Sequence, residues 1–159
     1  MGLEIYTEYV PRSAVTDTPT RTLSLPFESR QKARQRAHLD DGGEVGLQLP
    51  RGITLRGGDV VRSAQGADDV LIEAAAEPVS TVYAHVAAAL ARIAYHLGNR
   101  HVWLEVGNGW VRYLSDPVLD DMVRKMGYEV VRESAPFEPE TGAYHGLPHN
   151  GETGHGHAH

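Results

Sequence analysis

From Leu3 to Val10 apolar and polar positions alternate, and Pro11 stops the run, which predicts a strand. Arg21 to Leu25 predicts a second short strand, closed by Pro26. Asp40-Asp41-Gly42-Gly43 is a turn signal between Arg36–Leu39 and Glu44–Leu49, so those two runs are expected to pair as a hairpin. Ile53–Leu55, Val60–Ser63 and Val70–Ala74 follow as brief strands between glycine-rich turns. Nothing in this half has helical periodicity, which predicts a small all-β domain over residues 1–76.

The pattern changes after Glu77-Pro78. Val79–Ala84 reads as a strand. Val86 to Leu97 reads as an alanine-rich helix with Val86, Leu90, Ile93 and Leu97 on one face. Val102–Val106 and Trp110–Leu114 form a hairpin around Gly107-Asn108-Gly109. Asp116-Pro117 starts a second helix, with a capping aspartate and proline at the first helical position, and Gly127 ends it. Tyr128–Arg132 is a last strand, with loop beyond Glu133. The order β-α-β-β-α-β is that of a ferredoxin-like domain over residues 77–144. The glycine- and histidine-rich stretch 145–159 has little to bury and is expected to be a flexible tail. The fold class is therefore α+β.

Composition narrows the chemistry. The chain has 159 residues, no cysteine, and a net charge of −6 with histidine neutral. Thiolate metal sites, iron–sulfur clusters and disulfides are excluded, so a bound metal must be held by nitrogen and oxygen. The acidic total gives no general attraction to nucleic acid or to an anionic membrane. With no basic-then-apolar leader and no apolar run of spanning length, a cytoplasmic location is expected. The concentrated positive charge of Ser29–Arg36 is expected to be a solvated strand or loop, because aromatic residues are not interleaved with it.

The candidate chemistry is histidine. Tyr95-His96-Leu97-Gly98-Asn99-Arg100-His101 closes the first helix, and Gly98 is expected to terminate it in the left-handed conformation. His96 lies on the flank of the apolar face. It suits either a metal ligand or a cation meeting the negative end of the helix dipole. His85 belongs to the far end of that helix and His38 to the hairpin turn; both are expected to be exposed. Spacing does not decide whether His101 joins His96. One imidazole is a poor site, but a two-fold axis would bring a second His96 to it. His145, His149, His155, His157 and His159 lie in the tail, and tethering raises their concentration at a site already begun. The competing role for the tail is weak, unselective scavenging. An enzyme finds little support: HExxH, a nucleophile elbow and a phosphate loop are all missing, and Glu138 and Glu140 read as solvated acids.

These residues resemble the urease accessory protein UreE family. The resemblance rests on Tyr95–His101, on Pro136-Phe137-Glu138-Pro139-Glu140-Thr141-Gly142-Ala143-Tyr144, on the histidine tail, and on Arg51–Asp59 further back. It implies a homodimeric nickel metallochaperone in which His96 of two protomers binds Ni(II), with tail histidines adding ligands. It also implies donation to apo-urease through a partner GTPase of the urease assembly complex, and a partner-contacting role for the N-terminal domain. Some members carry a His-x-His pair on the strand after the hairpin turn; here that strand reads Trp110-Val111-Arg112-Tyr113, so a second site is not expected. Imidazole sites follow the usual divalent order, so Cu(II) and Zn(II) are expected to compete. The alternative is a metal-buffering or metal-sensing protein without a role in urease maturation, and a metal-dependent hydrolase stands third.

Overall fold

The computed structural model describes residues 2–66 and 68–142, and within them the chain is α+β, built as two domains, each on its own sheet. The first contains β1 (Glu4–Val10), a single 3-10 turn (Arg12–Ala14), β2 (Thr22–Leu25), α1 (Phe27–Arg30), β3 (Arg34–His38), β4 (Glu44–Gln48), β5 (Val60–Ser63) and β6 (Asp69–Ala74). Its six strands are ordered β2-β6-β5-β1-β4-β3, with β1/β4 and β2/β6 parallel and the other neighbours antiparallel. Tyr6, Leu23, Leu47, Leu55, Val61, Val70 and Ile72 are among the residues that fill its core. The Tyr6 hydroxyl, at the edge of that core, donates to Asp68 at 2.9 Å.

The expectation of an all-β domain is corrected by α1. Pro26 holds an extended backbone that opens the turn, and Phe27 and Arg30, three apart, bury the same face. The solvated reading of Ser29–Arg36 fails at Arg30, which has no exposed surface. Its Nε donates to the Leu25 carbonyl at 3.1 Å and its Nη1 to the Leu55 carbonyl at 3.0 Å, while Nη2 donates to the Phe137 carbonyl. This also explains why Ile53–Leu55 is not a strand. The Leu55 amide donates to the Arg30 carbonyl at 2.9 Å, so both polar groups of Leu55 serve Arg30 instead of a ladder.

The second domain contains β7 (Ala76–Tyr83), α2 (Ala87–Gly98), β8 (Glu105–Gly107), β9 (Trp110–Leu114), α3 (Pro117–Lys125) and β10 (Val131–Pro136). The sheet order is β10-β7-β9-β8, antiparallel throughout. Val82, Val111 and Tyr113 meet Ile93 and Leu97 of α2 and Leu119 and Val123 of α3. As expected, Asp116 caps α3, accepting from the amides of Val118 at 2.8 Å and Leu119 at 3.3 Å, and Gly127 (φ 94°) follows its end. The last strand falls later than its pattern suggests. Tyr128 and Val130 are partly buried against the helix-side core, and pairing with β7 then runs from Val131 to Pro136. In the same way Val102 and Leu104 go to the core, which shortens β8. Val86, expected on the buried face of α2, is its exposed N-cap.

The two domains are joined across Arg30. Phe27 meets Phe137 and Trp103 edge-on, with ring centroids 5.5 and 5.2 Å apart. The Phe27 amide donates to Glu77 at 2.8 Å and the Gly57 amide to Glu138 at 2.7 Å. Glu138, expected to be a solvated acid, is thus a tie between the domains. Burial pushes the Arg30 guanidinium down from its ordinary value, against the pull of Glu138 and Glu77.

Candidate metal centre

Helix α2 is positioned by Ile93 and Leu97, one turn apart and both fully buried against β9 and α3. That spacing fixes the face its other residues present. Tyr95 and His96, between the two anchors, are exposed. Tyr95 is 68% exposed, and its ring meets the imidazole of His96 edge-on at 5.2 Å between centroids and 83° between planes. An aromatic beside an imidazole limits the ring's freedom, which lowers the ordering cost of binding an ion.

The turn after His96 differs from the expected one. Gly98 stays helical; Asn99 donates to the Tyr95 carbonyl at 2.9 Å, Arg100 to Leu97 at 3.1 Å and His101 to Gly98 at 3.0 Å. The left-handed residue is His101, with φ 58°, the only non-glycine residue of positive φ among those described. Histidine tolerates this region better than most side chains, yet it remains an uncommon choice. Continuing the helix for one more turn lets Val102 and Leu104 reach the core immediately after His101.

His38, His85, His96 and His101 are all exposed. His38 lies at the end of β3 in the other domain, and His85 precedes α2 while His96 closes it. Among the described residues no group of three or more histidines and carboxylates is placed to hold a metal ion. His96, the candidate ligand, is in no such group. His145, His149, His155, His157 and His159 lie outside the described residues.

On β9, where no histidine pair is expected, the polar side chain of Arg112 is committed to its own contacts. The Arg112 guanidinium lies over the Trp110 ring at 4.4 Å and donates to Thr81 at 2.9 Å and Glu133 at 3.0 Å. The Thr81 hydroxyl and Arg112 both hold Glu133 below the usual carboxylate range. Burial instead raises Glu105, which accepts from the Glu138 amide and faces Arg112 at 3.8 Å. Arg112 thus faces both carboxylates, Glu133 at 3.0 Å and Glu105 at 3.8 Å.

The residues overlooked in the sequence are Tyr95, as the neighbour of His96, and Arg30, as the domain tie. Adjacency of an aromatic and a histidine at a helix end was the available signal for Tyr95. For Arg30 it was the spacing to Phe27 inside a run that otherwise reads as charge.

Comparison with known proteins bears on both domains. A family model described as the UreE urease accessory protein N-terminal domain matches residues 7–76, and one for the C-terminal domain matches residues 77–159. The chain is 57% identical over 140 residues to the urease accessory protein UreE of Alkalilimnicola ehrlichii, covering 88% of this chain and 83% of that one. It is 53% identical over 135 residues to UreE of Pseudomonas putida W619, covering 85% and 84%. With UreE of Proteus mirabilis it shares 51% over 131 residues, covering 82% and 81%.

Proposed function

The chain belongs to the UreE family of urease accessory proteins, and from that premise we propose that it carries Ni(II) on His96 and donates it to apo-urease. It is an accessory chaperone of urease maturation, whose work is to bind, hold and release. The observation that carries the nickel reading is His96 itself: exposed at the end of α2, beside the Tyr95 ring, and in no group of three or more ligating side chains among the described residues. A second protomer related by a two-fold axis supplies the second imidazole. Val86, Tyr95 and Val118, each more than 60% exposed, offer apolar surface on the helices for that contact. The tail histidines add ligands by tethering. Zn(II) and Cu(II) compete, since imidazole does not reject them.

The order β10-β7-β9-β8 with βαββαβ connectivity supports reading the second unit as ferredoxin-like. The two sheets and the two family matches support a division after residue 76, and composition alone sets residues 145–159 apart from 77–144 on this reading. Partners on this reading are a second copy, the urease assembly complex and its GTPase, in the cytoplasm. No helix among the described residues is long and apolar enough to cross a membrane.

The test is transfer. Nickel-loaded protein is mixed with apo-urease and its assembly complex at limiting nickel, and urease activity is followed. Wild type should activate urease and His96→Ala should not; equal activation would remove His96 from the pathway. Because imidazole binds metal only when neutral, nickel retention should weaken in acid.

A further inference from the structure

The proposed nickel site makes no use of the arginine-rich run Ser29–Arg36, and the fold divides it. Arg30 is structural. Arg34 and Arg36 remain exposed on β3, the last strand of its sheet. Leu39 donates to the Gly43 carbonyl and Leu49 to the Ala33 carbonyl, so the hydrogen-bonded pairs of the β3–β4 ladder fall at odd-numbered residues of β3. Alternation then turns the N–H and C=O of Arg34, Arg36 and His38 toward the open edge. No other strand among the described residues pairs there.

The side chains of the same strand alternate too. Ala37 is buried in the core, whereas Arg34 and Arg36 lie on the outer face, opposite Gln48 and Gly46. Gly46 is bare because Ile5 covers it; a Cβ there would stand 2.7 Å from Ile5 Cδ1 and 3.3 Å from Leu3 Cδ2. The outcome is a shallow groove of about 490 Å³ with Leu3 and Ile5 as its floor and Arg34 and Arg36 beside them. Lys32 and Arg51 are exposed at the open end of the same hairpin. The nearby acids neutralise little of this charge, since Arg36 stands 3.8 Å from Glu44 and Lys32 4.0 Å from Glu28 in solvated pairs.

We propose that β3 is a docking edge for an extended acidic segment of a partner protein. The segment adds a strand to the sheet, sets carboxylates against Arg34 and Arg36, and lays an apolar side chain over Leu3 and Ile5. A positive edge on a chain of net charge −6 is complementary to acid against the sign of the molecule's overall field. The free ladder groups and apolar floor fit a peptide. A nucleic acid would want aromatic platforms, and the groove lining has none. Charged residues on an edge strand also occur as guards against self-pairing, and that role predicts a different experimental outcome.

The experiment is fluorescence anisotropy of the full chain with a short labelled peptide alternating glutamate and valine. Binding should saturate, weaken with added salt, and fall by about tenfold or more in Arg34→Glu/Arg36→Glu. It should be lost when alternate backbone amides of the peptide are N-methylated, a control that needs only the wild-type protein. Both arginines are exposed, so the variant should keep the wild-type melting midpoint. Three results would overturn the proposal. One is the absence of saturable peptide binding. Another is tighter binding of a single-stranded oligonucleotide than of the peptide. The third is peptide affinity unchanged in Arg34→Ala/Arg36→Ala while light scattering shows more self-association, which would make the arginines edge guards only.

Discussion

At the junction of the two domains Arg30 donates to three carbonyls, Glu77 and Glu138 each accept a backbone amide, and three aromatic rings close around them. At the end of α2, His96 has an aromatic neighbour and solvent. Among the described residues no buried side-chain nitrogen or oxygen lacks a partner, and the junction follows that rule, whereas His96 is exposed and lies outside it. A group whose bonds are all made inside the protomer holds the fold. A ligand left with open valence at the surface is free to serve something that comes and goes. In this chain a charge expected to be solvated is structural, and a histidine that suits a helix dipole is the candidate ligand.

The contrast breaks most visibly at Arg30. Arg30→Ala strands the carbonyls of Leu25, Leu55 and Phe137 and opens a cavity, so chemical denaturation should show a loss of about 4 kcal/mol. A loss under about 1 kcal/mol would mean that water replaces the guanidinium and that the junction is not closed.

Asp120 tests the same saturation inside the second domain. Burial alone would raise its carboxyl, but hydrogen bonds from Tyr113 (2.6 Å) and Arg132 (2.8 Å), with that of Ser80, outweigh it, and the group titrates below its ordinary value of 3.8. A depressed carboxylate stabilises the fold above its unfolded value, and that stability is lost as pH falls through the folded value. Asp120→Asn should therefore cost about 2 kcal/mol at neutral pH and flatten the acid limb below about pH 4, measured by thermal melts across pH. An unchanged acid limb would place the acid sensitivity elsewhere.

Gly98 gives a smaller effect of opposite sign. It is helical, with open space where a Cβ would stand, so Gly98→Ala should raise stability by about 0.5–1 kcal/mol. Destabilisation would restore the left-handed reading of that glycine. The smallest change in stability belongs to His96→Ala, within about 0.5 kcal/mol, because the imidazole is exposed.

Much of the fold was legible where local rules decide. Asp116-Pro117, Gly127, the β3–β4 hairpin and the order of elements in the second domain follow from capping, turn chemistry and periodicity. The misses share one cause, tertiary demand on a local pattern. Arg30 was drawn inward by carbonyls more than twenty positions away in sequence (Leu55) or over a hundred (Phe137). Val102, Leu104, Tyr128 and Val130 gave up strand pairing for the core. His101 took the left-handed position that Gly98 was expected to hold, because the buried Leu97 and the need to deliver Val102 extend the turn. Of the candidate site, the sequence motif singles out His96, whereas its exposure and its contact with Tyr95 depend on how Ile93 and Leu97 anchor the helix.

The most direct measurement is a nickel titration by calorimetry, with light scattering for mass, on wild type, His96→Ala and a chain ending at Tyr144. The account predicts that His96→Ala loses the tightest site while folding and association persist, and that truncation removes only weaker binding. If His96→Ala binds nickel as wild type does and truncation abolishes binding, the motif at the end of α2 is structural and the tail alone holds the metal.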